Sequence, residues 1–497
     1  MESSILNRKT TNVLYLVTVI ITGLALFGYT SYRAAHLSFT HDESLSFNLY
    51  IFSNASFVDI ITMKLPTANN HILNTLLMDL CYHIFGPSEL SLRYPNLLAH
   101  IIYMIFTALW LWKFENKLLF AAGFIILNCN PYLLEFFSLA RGYGLAIGFM
   151  TISIYCFFRY ASKSKISFAI WSLLAGIFAI MSNFALIYFM LGLYCAFNLV
   201  FLFDIANKKQ NMISKFRGWF KMNIPLIASV ILAFPLMYAP VSKLLASGQL
   251  FVGGSTFWGD TVNSLIMYEL YSHVWNNTLQ TIKILIIVFA FIGFALTTFG
   301  LFNEKLSSKT KSLIYALCLL SIPCLIAAIL HYFAGTHFLM TRFALFLVPL
   351  FLMYLISLFD FISGYRAGLY PAVMCVCMIA GFFVYHFYLN HNTVKTEEWD
   401  YDASEREAIT AIKNDYVIHF HNRQKISIGI FWMAEPALNY YREVKHYDWL
   451  EELNRDGVGG IHDYYYLMKD NIRDLPNIKL RLMAYYPTSG FYLFAKE

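Results

Sequence analysis

Apolar runs recur along the first 390 residues, and they constrain the fold more than any other feature of the chain. Each run is about 17 to 25 residues long, the length that an α-helix needs to cross the roughly 30 Å hydrocarbon layer of a bilayer. Hydrophobic residues make up 58% of the chain and charged residues 13%, which is more apolar surface than a soluble core can bury. We therefore predict a polytopic α-helical membrane protein with about eleven transmembrane helices. The runs lie near residues 12–32, 95–112, 118–134, 142–160, 166–182, 184–205, 222–241, 281–302, 312–334, 342–358 and 368–390.

The distribution of Lys and Arg predicts the orientation of these helices, because short cytoplasmic loops carry the positive excess in membrane proteins. A cytoplasmic N-terminus and an odd number of spans place residues 391–497 outside the cytoplasm. The net charge of +6 follows from this loop bias, so we expect no nucleic-acid partner. The residues that fall on the inner side are Arg8, Lys9, Lys113, Lys117, Arg159, Lys163, Lys165, Lys208, Lys209, Lys215, Arg217, Lys221, Lys305, Lys309, Lys311 and Arg366.

Residues 391–497 are the long polar stretch of the chain, and they predict a C-terminal domain that follows a transmembrane domain of residues 1–390. Helical periodicity near 403–415 and 434–446 alternates with strand-like segments, which indicates a small extracytoplasmic α/β domain. The strand-like segments are KISIGIFW, DYYYLM, IKLRLMAYY and GFYLFAKE. His419 and His421 alternate in VIHFHN, a spacing that suits one face of a strand.

Three loops on the predicted outer side are unusual. The first loop, residues 33–94, contains Ile72–Phe85, an amphipathic segment that is too short to cross a membrane and predicts a helix at the interface. The second loop is the short segment LLEFFSLARGYG, and the third, near residues 242–280, is aromatic and Gly-rich. We expect these loops to roof a pocket at the outer leaflet.

Adjacent acids, Asp42 and Glu43, follow the first apolar run in FTHDESLSF. A carboxylate pair at a membrane rim is costly to desolvate and does not anchor a helix, so the pair indicates acid/base or charge-stabilising chemistry beside the bilayer. The alternative is structural: Asp42 caps the N-terminus of a helix that begins near Ser44.

The order of these motifs resembles the glycosyltransferase-C superfamily. The resemblance rests on Asp-Glu after the first span, an Asn-His-containing amphipathic helix that ends in FGPSELSLRYPN, and ARGYG before a later span. It is greatest to the branch of the protein O-mannosyltransferases, the lipid A aminoarabinose transferases and the bacterial core-sugar transferases. It implies a hexosyl- or pentosyltransferase that moves a sugar from a polyprenyl-phosphate donor to a lipid, glycan or protein acceptor. It also implies a bacterial inner membrane, with the C-terminal domain in the periplasm.

The resemblance makes Asp42 the catalytic acid, because the family motif has its critical acid at the first position of Asp-Glu. Asp42 is then the general base for the acceptor hydroxyl, with inversion at the sugar carbon, and Glu43 positions the acceptor or the base. Relatives often carry a second acid before the Ala-Arg of the second loop, where this chain has Leu139. If that acid is needed, Glu135 must supply it from one helical turn earlier.

Cleavage of a sugar–phosphate bond also needs cations for the departing phosphate. Arg93 and Arg141 are the expected phosphate ligands, because guanidinium groups are planar and permanently charged; the alternative is that each extends to the membrane surface from a helix end. Further candidate substrate-binding residues are Lys64, Asn70, His71, Tyr143 and Arg342. His71 is equally compatible with a structural role, and an aromatic belt at the interface explains Tyr143 as well.

The sequence identifies no certain cofactor besides the polyprenyl-phosphate sugar, which is a substrate, and a divalent metal remains possible. Asp400-Tyr401-Asp402 has the spacing with which nucleotide-sugar transferases hold a metal, but nucleotide sugars are not expected outside the cytoplasm. We interpret Asp402 and Glu405 instead as a capping box for the following helix, and we assign no metal ligands.

Two other classes of protein fit a polytopic chain. A lipid or glycan transporter or flippase is expected to carry charged or broken helices at mid-span, whereas the charges here gather at the outer rim. A non-catalytic scaffold is the other class, and it would tolerate Asp42→Asn. A phosphoethanolamine-like group transferase is disfavoured because the C-terminal domain shows no cluster of metal ligands. The sequence leaves the oligomeric state open.

Overall fold

The computed structural model describes residues 2–65, 67–206, 212–249, 253–271, 278–301, 307–420 and 425–497. Four residues lie outside these ranges: Lys208, Lys209 and Lys305, which were predicted on the inner side, and His421, which was predicted on a strand. In chain order, the helices before residue 391 are α1 (Glu2–His36), α2 (His41–Ser46), α3 (Phe57–Ile61), α4 (Ile72–Phe85), α5 (Glu89–Leu111), α6 (Lys117–Asn128), α7 (Pro131–Phe137), α8 (Gly142–Lys163), α9 (Ile166–Ser182), α10 (Leu186–Ala206), α11 (Met212–Ala246), α12 (Asn263–Glu269), α13 (Thr278–Leu301), α14 (Ser308–Ala334), α15 (Leu347–Ser363) and α16 (Leu369–Asn390).

Within the described ranges, eight helices are long and apolar enough to cross a membrane: α1, α5, α8, α10, α11, α13, α14 and α16. Large apolar side chains point outwards from them; Phe291 of α13 is 70% exposed and Ile231 of α11 is 68% exposed. Such surfaces are stable when lipid covers them. The prediction of a polytopic α-helical membrane protein is confirmed.

The predicted count of about eleven spans is not confirmed. Helices α6 and α7 meet at a bend of 65°, which gives at most nine spans in the described part of the chain if the pair counts as one. The bend follows from local sequence, because Asn130 caps α7 by accepting a hydrogen bond from Leu133 N (3.0 Å) and Pro131 occupies the first helical position. The other two predicted runs form α9 and α15, apolar helices of 17 residues each.

The directions of the helices place one set of helix ends together. Helices α1 and α16 end where α5, α8 and α15 begin, and hydrogen bonds join these ends; Arg33 near the end of α1, for example, contacts Glu135 of α7 and Lys395 beyond α16. We call this the upper end of the bundle. The lower end is where α5, α8 and α15 finish and α14 begins. The interfacial helix predicted for Ile72–Phe85 is α4, which lies at the upper end.

The C-terminal region is a small α/β unit, as predicted. It contains α17 (Glu405–His419), α18 (Glu435–Val444), β1 (Ile428–Ile430), β2 (Tyr464–Met468), β3 (Leu480–Tyr486) and β4 (Phe491–Lys496). The four strands form one sheet in the order β1-β2-β4-β3, in which β1 is parallel to β2 and the other pairs are antiparallel. Helices and strands occur where the 3.6-residue and two-residue periodicities predicted them.

The core of this α/β unit continues into the loop of residues 33–94. The ring of Tyr440 in α18 stacks on Phe39 (4.2 Å between centroids) and meets Phe47 edge to face (5.1 Å). The Tyr440 hydroxyl donates to Pro87 O (2.7 Å), and Phe39 N donates to the Tyr441 hydroxyl (2.9 Å). The loop that carries Asp42 and the C-terminal region therefore share one packed interior.

Two predictions for the C-terminal region are wrong. Asp402 and Glu405 form no capping box, because Ser404 is the N-cap of α17 and its side chain makes no capping hydrogen bond. Asp402 lies in the preceding 3₁₀ turn, where its carboxylate accepts a hydrogen bond from His41 N in the loop of residues 33–94. His419 is the last residue of α17 and not part of a strand, since the helical periodicity of 405–419 continues through it.

Candidate active site

Arg141 and Arg342 converge on the side chain of Asp42 at the upper end. Asp42 Oδ2 lies 3.5 Å from Nη2 of Arg141 and 3.4 Å from Nη2 of Arg342. Arg141 immediately precedes α8, whereas Arg342 lies in the 3₁₀ turn Thr341–Ala344 before α15. Both separations are longer than a normal charge-assisted hydrogen bond. Each Nη2 group therefore keeps donor capacity for a further anion.

Asp42 is free of helix capping. Thr40 is the N-cap of α2: its hydroxyl accepts from Glu43 N, and Glu43 Oε2 accepts from Thr40 N (2.9 Å). The alternative in which Asp42 caps a helix near Ser44 is therefore wrong. The Asp42 side chain keeps 16% of its surface exposed, and its Oδ1 atom has no partner among the described residues.

Arg93 and Glu43 form a buried ion pair. Nε and Nη2 of Arg93 donate to the Glu43 carboxylate at 2.8 and 2.7 Å. Its other three N–H bonds reach the carbonyls of Ala34, Leu37 and Ser38 at 2.8–3.0 Å. All five donors of the guanidinium are thus used, and neither side chain is exposed.

This geometry corrects two assignments. Arg93 has no donor left for a phosphate, and it is too deeply buried to extend to the membrane surface. Glu43 has no surface with which to contact an acceptor, and it accepts a further hydrogen bond from Ala140 N. The pair instead joins the end of α1, the cap of α2 and the start of α5, and so determines where the Asp42 backbone lies. Removing one partner of a buried pair typically costs about 3–5 kcal/mol.

Arg141 is buried and holds the Asp42 loop through its second amino group. Nη1 donates to Asp42 O (3.2 Å), Ser46 Oγ (3.0 Å) and Asn69 O (3.0 Å). The side chain is 2% exposed, so the alternative in which it extends to the membrane surface is wrong. The position of Arg141 depends on Gly142, because a Cβ at Gly142 would overlap the Ser182 carbonyl oxygen and the imidazole of His71, the residue that precedes α4.

The imidazole of His71 meets the ring of Tyr143 edge to face, with 4.8 Å between the ring centroids. Burial, together with the charge of Arg141, holds the pKa of His71 well below its ordinary value, so the ring is neutral. Its Nδ1–H donates to Ser182 O (2.8 Å), which leaves Nε2 as a buried acceptor without a partner among the described residues. Tyr143 is 2% exposed, so its interpretation as part of a lipid-facing aromatic belt is wrong.

Arg342 is positioned by residues that follow the last span. Nη1 of Arg342 is 2.7 Å from Glu398 Oε2, and Arg342 N donates to Glu398 Oε1 (3.2 Å). The Tyr132 hydroxyl donates to the same Oε1 (2.6 Å). The indole of Trp399 lies under the guanidinium, 4.7 Å from its central carbon. These contacts fix the side chain and leave Nη2 directed at Asp42.

Two of the predicted side chains, Asn70 and Lys64, have other partners. The amide of Asn70 donates to Ile60 O (3.1 Å) and accepts from Thr75 Oγ1 (2.8 Å), so it is internally satisfied. The neighbouring Asn69 makes the contact with the site, because its Nδ2 donates to Asp42 O (2.9 Å). Lys64 is largely exposed and pairs with Asp59 (3.5 Å).

Glu135 faces the C-terminal segment. Its Oε1 is 3.2 Å from Nη2 of Arg33, and its Oε2 accepts from Glu397 N (2.9 Å). Leu139, at the position where relatives carry an acid, is fully buried. These contacts give Glu135 a role in joining α1, α7 and the start of the C-terminal region.

Two further buried carboxyl groups lie behind the Asp42 loop. Asp402 Oδ2 accepts from His41 N at 2.5 Å, directly before Asp42 in the chain. Asp402 and Glu405 are adjacent and buried, and this burial raises the pKa of both well above ordinary values. Both carboxyl groups therefore hold their protons more strongly than exposed carboxyl groups do.

Glu405→Gln is expected to increase the stability of the detergent-solubilised protein more at pH 8 than at pH 5. A carboxyl whose pKa is raised by folding contributes stability below its unfolded pKa of about 4.3 and loses it as pH rises towards the folded pKa, by up to about 1.4 kcal/mol per pH unit. The amide cannot ionise, so this loss disappears. Thermal unfolding at both pH values measures the difference. Glu407→Gln, an exposed change on the same helix, should show no pH-dependent gain. An equal effect of Glu405→Gln at both pH values would contradict the raised pKa of Glu405.

Sequence reasoning missed Asn69, Glu398, Trp399 and Asp402 as parts of this site. A signal was present, because the acids and Trp of EEWDYD follow directly after the last apolar run and so must lie at the upper rim. Among the described residues, no three His, Cys, Asp or Glu side chains are grouped to hold a metal ion.

A bundle of membrane-length helices with this acid-arginine cluster at one end, covered by a small α/β unit, has the same fold as ArnT, a protein whose structure is solved. Among solved structures, the chain is similar to ArnT from Cupriavidus metallidurans bound to undecaprenyl phosphate, with a TM-score of 0.51 and 10% sequence identity over 97% of this chain and 98% of that chain. The apo state of the same ArnT matches with a TM-score of 0.41 and 8% identity over the same shares. No protein-family model and no curated protein sequence matches the chain. At this identity the likeness shows the fold, as the sequence motifs implied.

Proposed function

We propose that the protein is a membrane glycosyltransferase that moves a sugar from a polyprenyl-phosphate-linked donor to a lipid, glycan or protein acceptor on the non-cytoplasmic face. The observation that carries the proposal is the convergence of Arg141 and Arg342 on Asp42. It combines two cations for a phosphate with a carboxylate for a proton. The fold supports the same conclusion, because ArnT, which shares it, was crystallised with undecaprenyl phosphate.

The donor phosphate is assigned to Arg141 and Arg342. Their Nη2 groups face one point, and the long contacts to Asp42 leave room for an oxygen ligand between them. The neutral His71 adds no charge, but its free Nε2 can accept a hydrogen bond from a sugar hydroxyl. Lys64, which is exposed and paired with Asp59, is a secondary candidate for the phosphate.

In the proposed reaction, the oxygen of the acceptor hydroxyl attacks the anomeric carbon of the donor sugar, and Asp42 takes the proton of that hydroxyl. The bond from that carbon to the phosphate oxygen breaks, and the electron pair leaves with the polyprenyl phosphate. Arg141 and Arg342 stabilise the negative charge that this transfer leaves on the phosphate. One displacement by an external nucleophile inverts the anomeric configuration.

An apolar cavity beside α15 has the chemistry needed for the polyprenyl chain. One part, about 300 Å³, lies between α12, α15 and α16, and an adjoining part of about 790 Å³ extends between α13, α15 and α16. Leu347, which lines the first part, lies one turn beyond the 3₁₀ turn that carries Arg342. Hydrogen bonds from Thr261 to Leu339 O (2.6 Å) and from Thr341 N to Ser264 (3.0 Å) hold that turn against the cavity. A chain in this cavity would bring its phosphate towards Arg342.

The same proposal includes the predicted orientation. The N-terminus and the lower end lie in the cytoplasm, and the site and C-terminal region lie in the periplasm of a bacterial inner membrane. The Lys and Arg residues of the lower end support this orientation.

Deletion of the gene tests the function in its host. We expect the deletion strain to accumulate a polyprenyl-phosphate sugar and to lose one sugar from a lipid, a glycan or a protein, measured by mass spectrometry of both fractions. The purified protein should then transfer that sugar from the isolated donor, and NMR should show the opposite anomer in the product. A transporter would change the leaflet of the lipid without any transfer in detergent, and that result, or a retained anomer, would contradict the proposal.

A further inference from the structure

A second polar cavity lies at the lower end of the bundle. It has a volume of about 410 Å³ and is enclosed by the ends of α5, α8 and α15 and by the start of α14. Helix α5 has 23 residues, so this cavity is about 35 Å from the Asp42 site along the helix axis. The catalytic proposal makes no use of it.

Four basic side chains line this cavity, together with two carboxylates. Lys309 pairs with Asp360 (3.2 Å). Lys113 donates to Ser312 Oγ (2.7 Å) and lies over the ring of Phe158 (4.1 Å). Both lysines are thereby held at the cavity wall.

The other two cations, Arg159 and Lys311, have no ion pair with any described residue. Nε of Arg159 is buried and also lacks a hydrogen-bond partner in the described part of the chain. A guanidinium donor that is withdrawn from water and left unpaired costs free energy, unless an acceptor enters the cavity to satisfy it.

The walls combine this charge with apolar surface. Leu109 and Trp112, each 44% exposed, and the half-buried Phe158 line the cavity beside the basic side chains, and Ser308 and Ser312 add hydroxyl groups. The cavity lies where the apolar helices end, which is the level of lipid headgroups. A free inorganic anion would use the cations but leave the aromatic walls uncovered. A lipid would cover both.

We propose that this lower cavity binds the phosphate of an anionic phospholipid from the leaflet at the lower end of the protein. Arg159 and Lys311 contact the phosphate, while Trp112 and Phe158 pack against the glycerol backbone and the first methylenes of the acyl chains. Basic pockets between transmembrane helices bind acidic headgroups by the same physical means. The proposal does not depend on the enzymatic activity.

The test is native mass spectrometry of the full-length protein, titrated with phosphatidylglycerol or with phosphatidylcholine. We expect tighter binding of phosphatidylglycerol and a weakening of about tenfold or more in Arg159→Gln/Lys311→Gln, because two charge-assisted contacts are lost. Arg159→Lys retains the charge and should keep most of the affinity. Lys163→Gln/Lys165→Gln removes two exposed lysines at the same end, outside the cavity, and should leave binding unchanged.

Three outcomes would overturn the proposal. They are equal losses in the cavity variant and the exposed-lysine variant, equal binding of the two lipids, or a thermal stabilisation by inorganic phosphate as large as that by phosphatidylglycerol. The thermal unfolding temperature without added lipid serves as the folding check, and Arg159→Lys provides the answer if the double Gln variant does not fold.

Discussion

Asp42→Asn is expected to lower the turnover of sugar transfer by at least about a hundredfold, with the protein still inserted and folded. An acceptor hydroxyl is a poor nucleophile at neutral pH, and a positioned base contributes about 10²–10⁴-fold. Asn keeps the size of Asp42 and can still fill its place between the α2 cap and Arg141, but it cannot take the proton. The measurement is kcat for the purified variant with the isolated donor.

Asp400→Asn is the matched control, because Asp400 is an acid of the same rim whose side chain is 53% exposed and lies 3.9 Å from Lys395 Nζ. It should retain near-normal turnover. Full activity in Asp42→Asn would show that Asp42 is not the base. Equal losses in both variants would indicate a general sensitivity of the rim to charge.

Arg342→Gln is expected to weaken use of the donor by about ten- to a hundredfold in kcat/KM, because a charge-assisted contact contributes about 1.5–3 kcal/mol. Arg342→Lys should recover only part of the loss, since an ammonium group cannot pair with Glu398 and face Asp42 in the same planar geometry. The kinetics should be measured with the donor varied and the acceptor saturating.

Arg366→Gln is the control for Arg342, because Arg366 is an exposed arginine at the lower end. It should leave kcat/KM for the donor unchanged. Normal donor kinetics in Arg342→Gln would show that Arg342 does not bind the donor phosphate. The phosphate proposal would then have to rest on Arg141 alone.

The helical membrane architecture could be predicted because it follows from local properties of the chain. An apolar run of sufficient length must form backbone hydrogen bonds within itself in lipid, so it becomes a helix wherever it lies. The same reasoning located the elements of the C-terminal region. It failed to separate full spans from the bent pair α6 and α7, where Asn130 and Pro131 end one helix and start another within three residues.

The roles of the arginines could not be assigned in the same way. The sequence predicts both Arg93 and Arg342 at the outer rim. The guanidinium of Arg93 is fully bonded to Glu43 and three backbone carbonyls, whereas one amino group of Arg342 faces Asp42. The partners of each side chain come from distant parts of the chain. Glu398 reaches Arg342 across more than fifty residues, and Asp42 reaches it across 300 residues.

By itself, the sequence determined that the chain is a multispan helical protein, that an acid pair follows the first span, and that a polar α/β region ends the chain. These features depend on composition and periodicity, which are local. Tertiary structure alone decided that Asp42 faces two arginines while Glu43 is enclosed, and that residues after the last span complete the site. Adjacent residues on a short helix point to different sides, so whether each meets solvent or a buried cation depends on which distant segments pack against it.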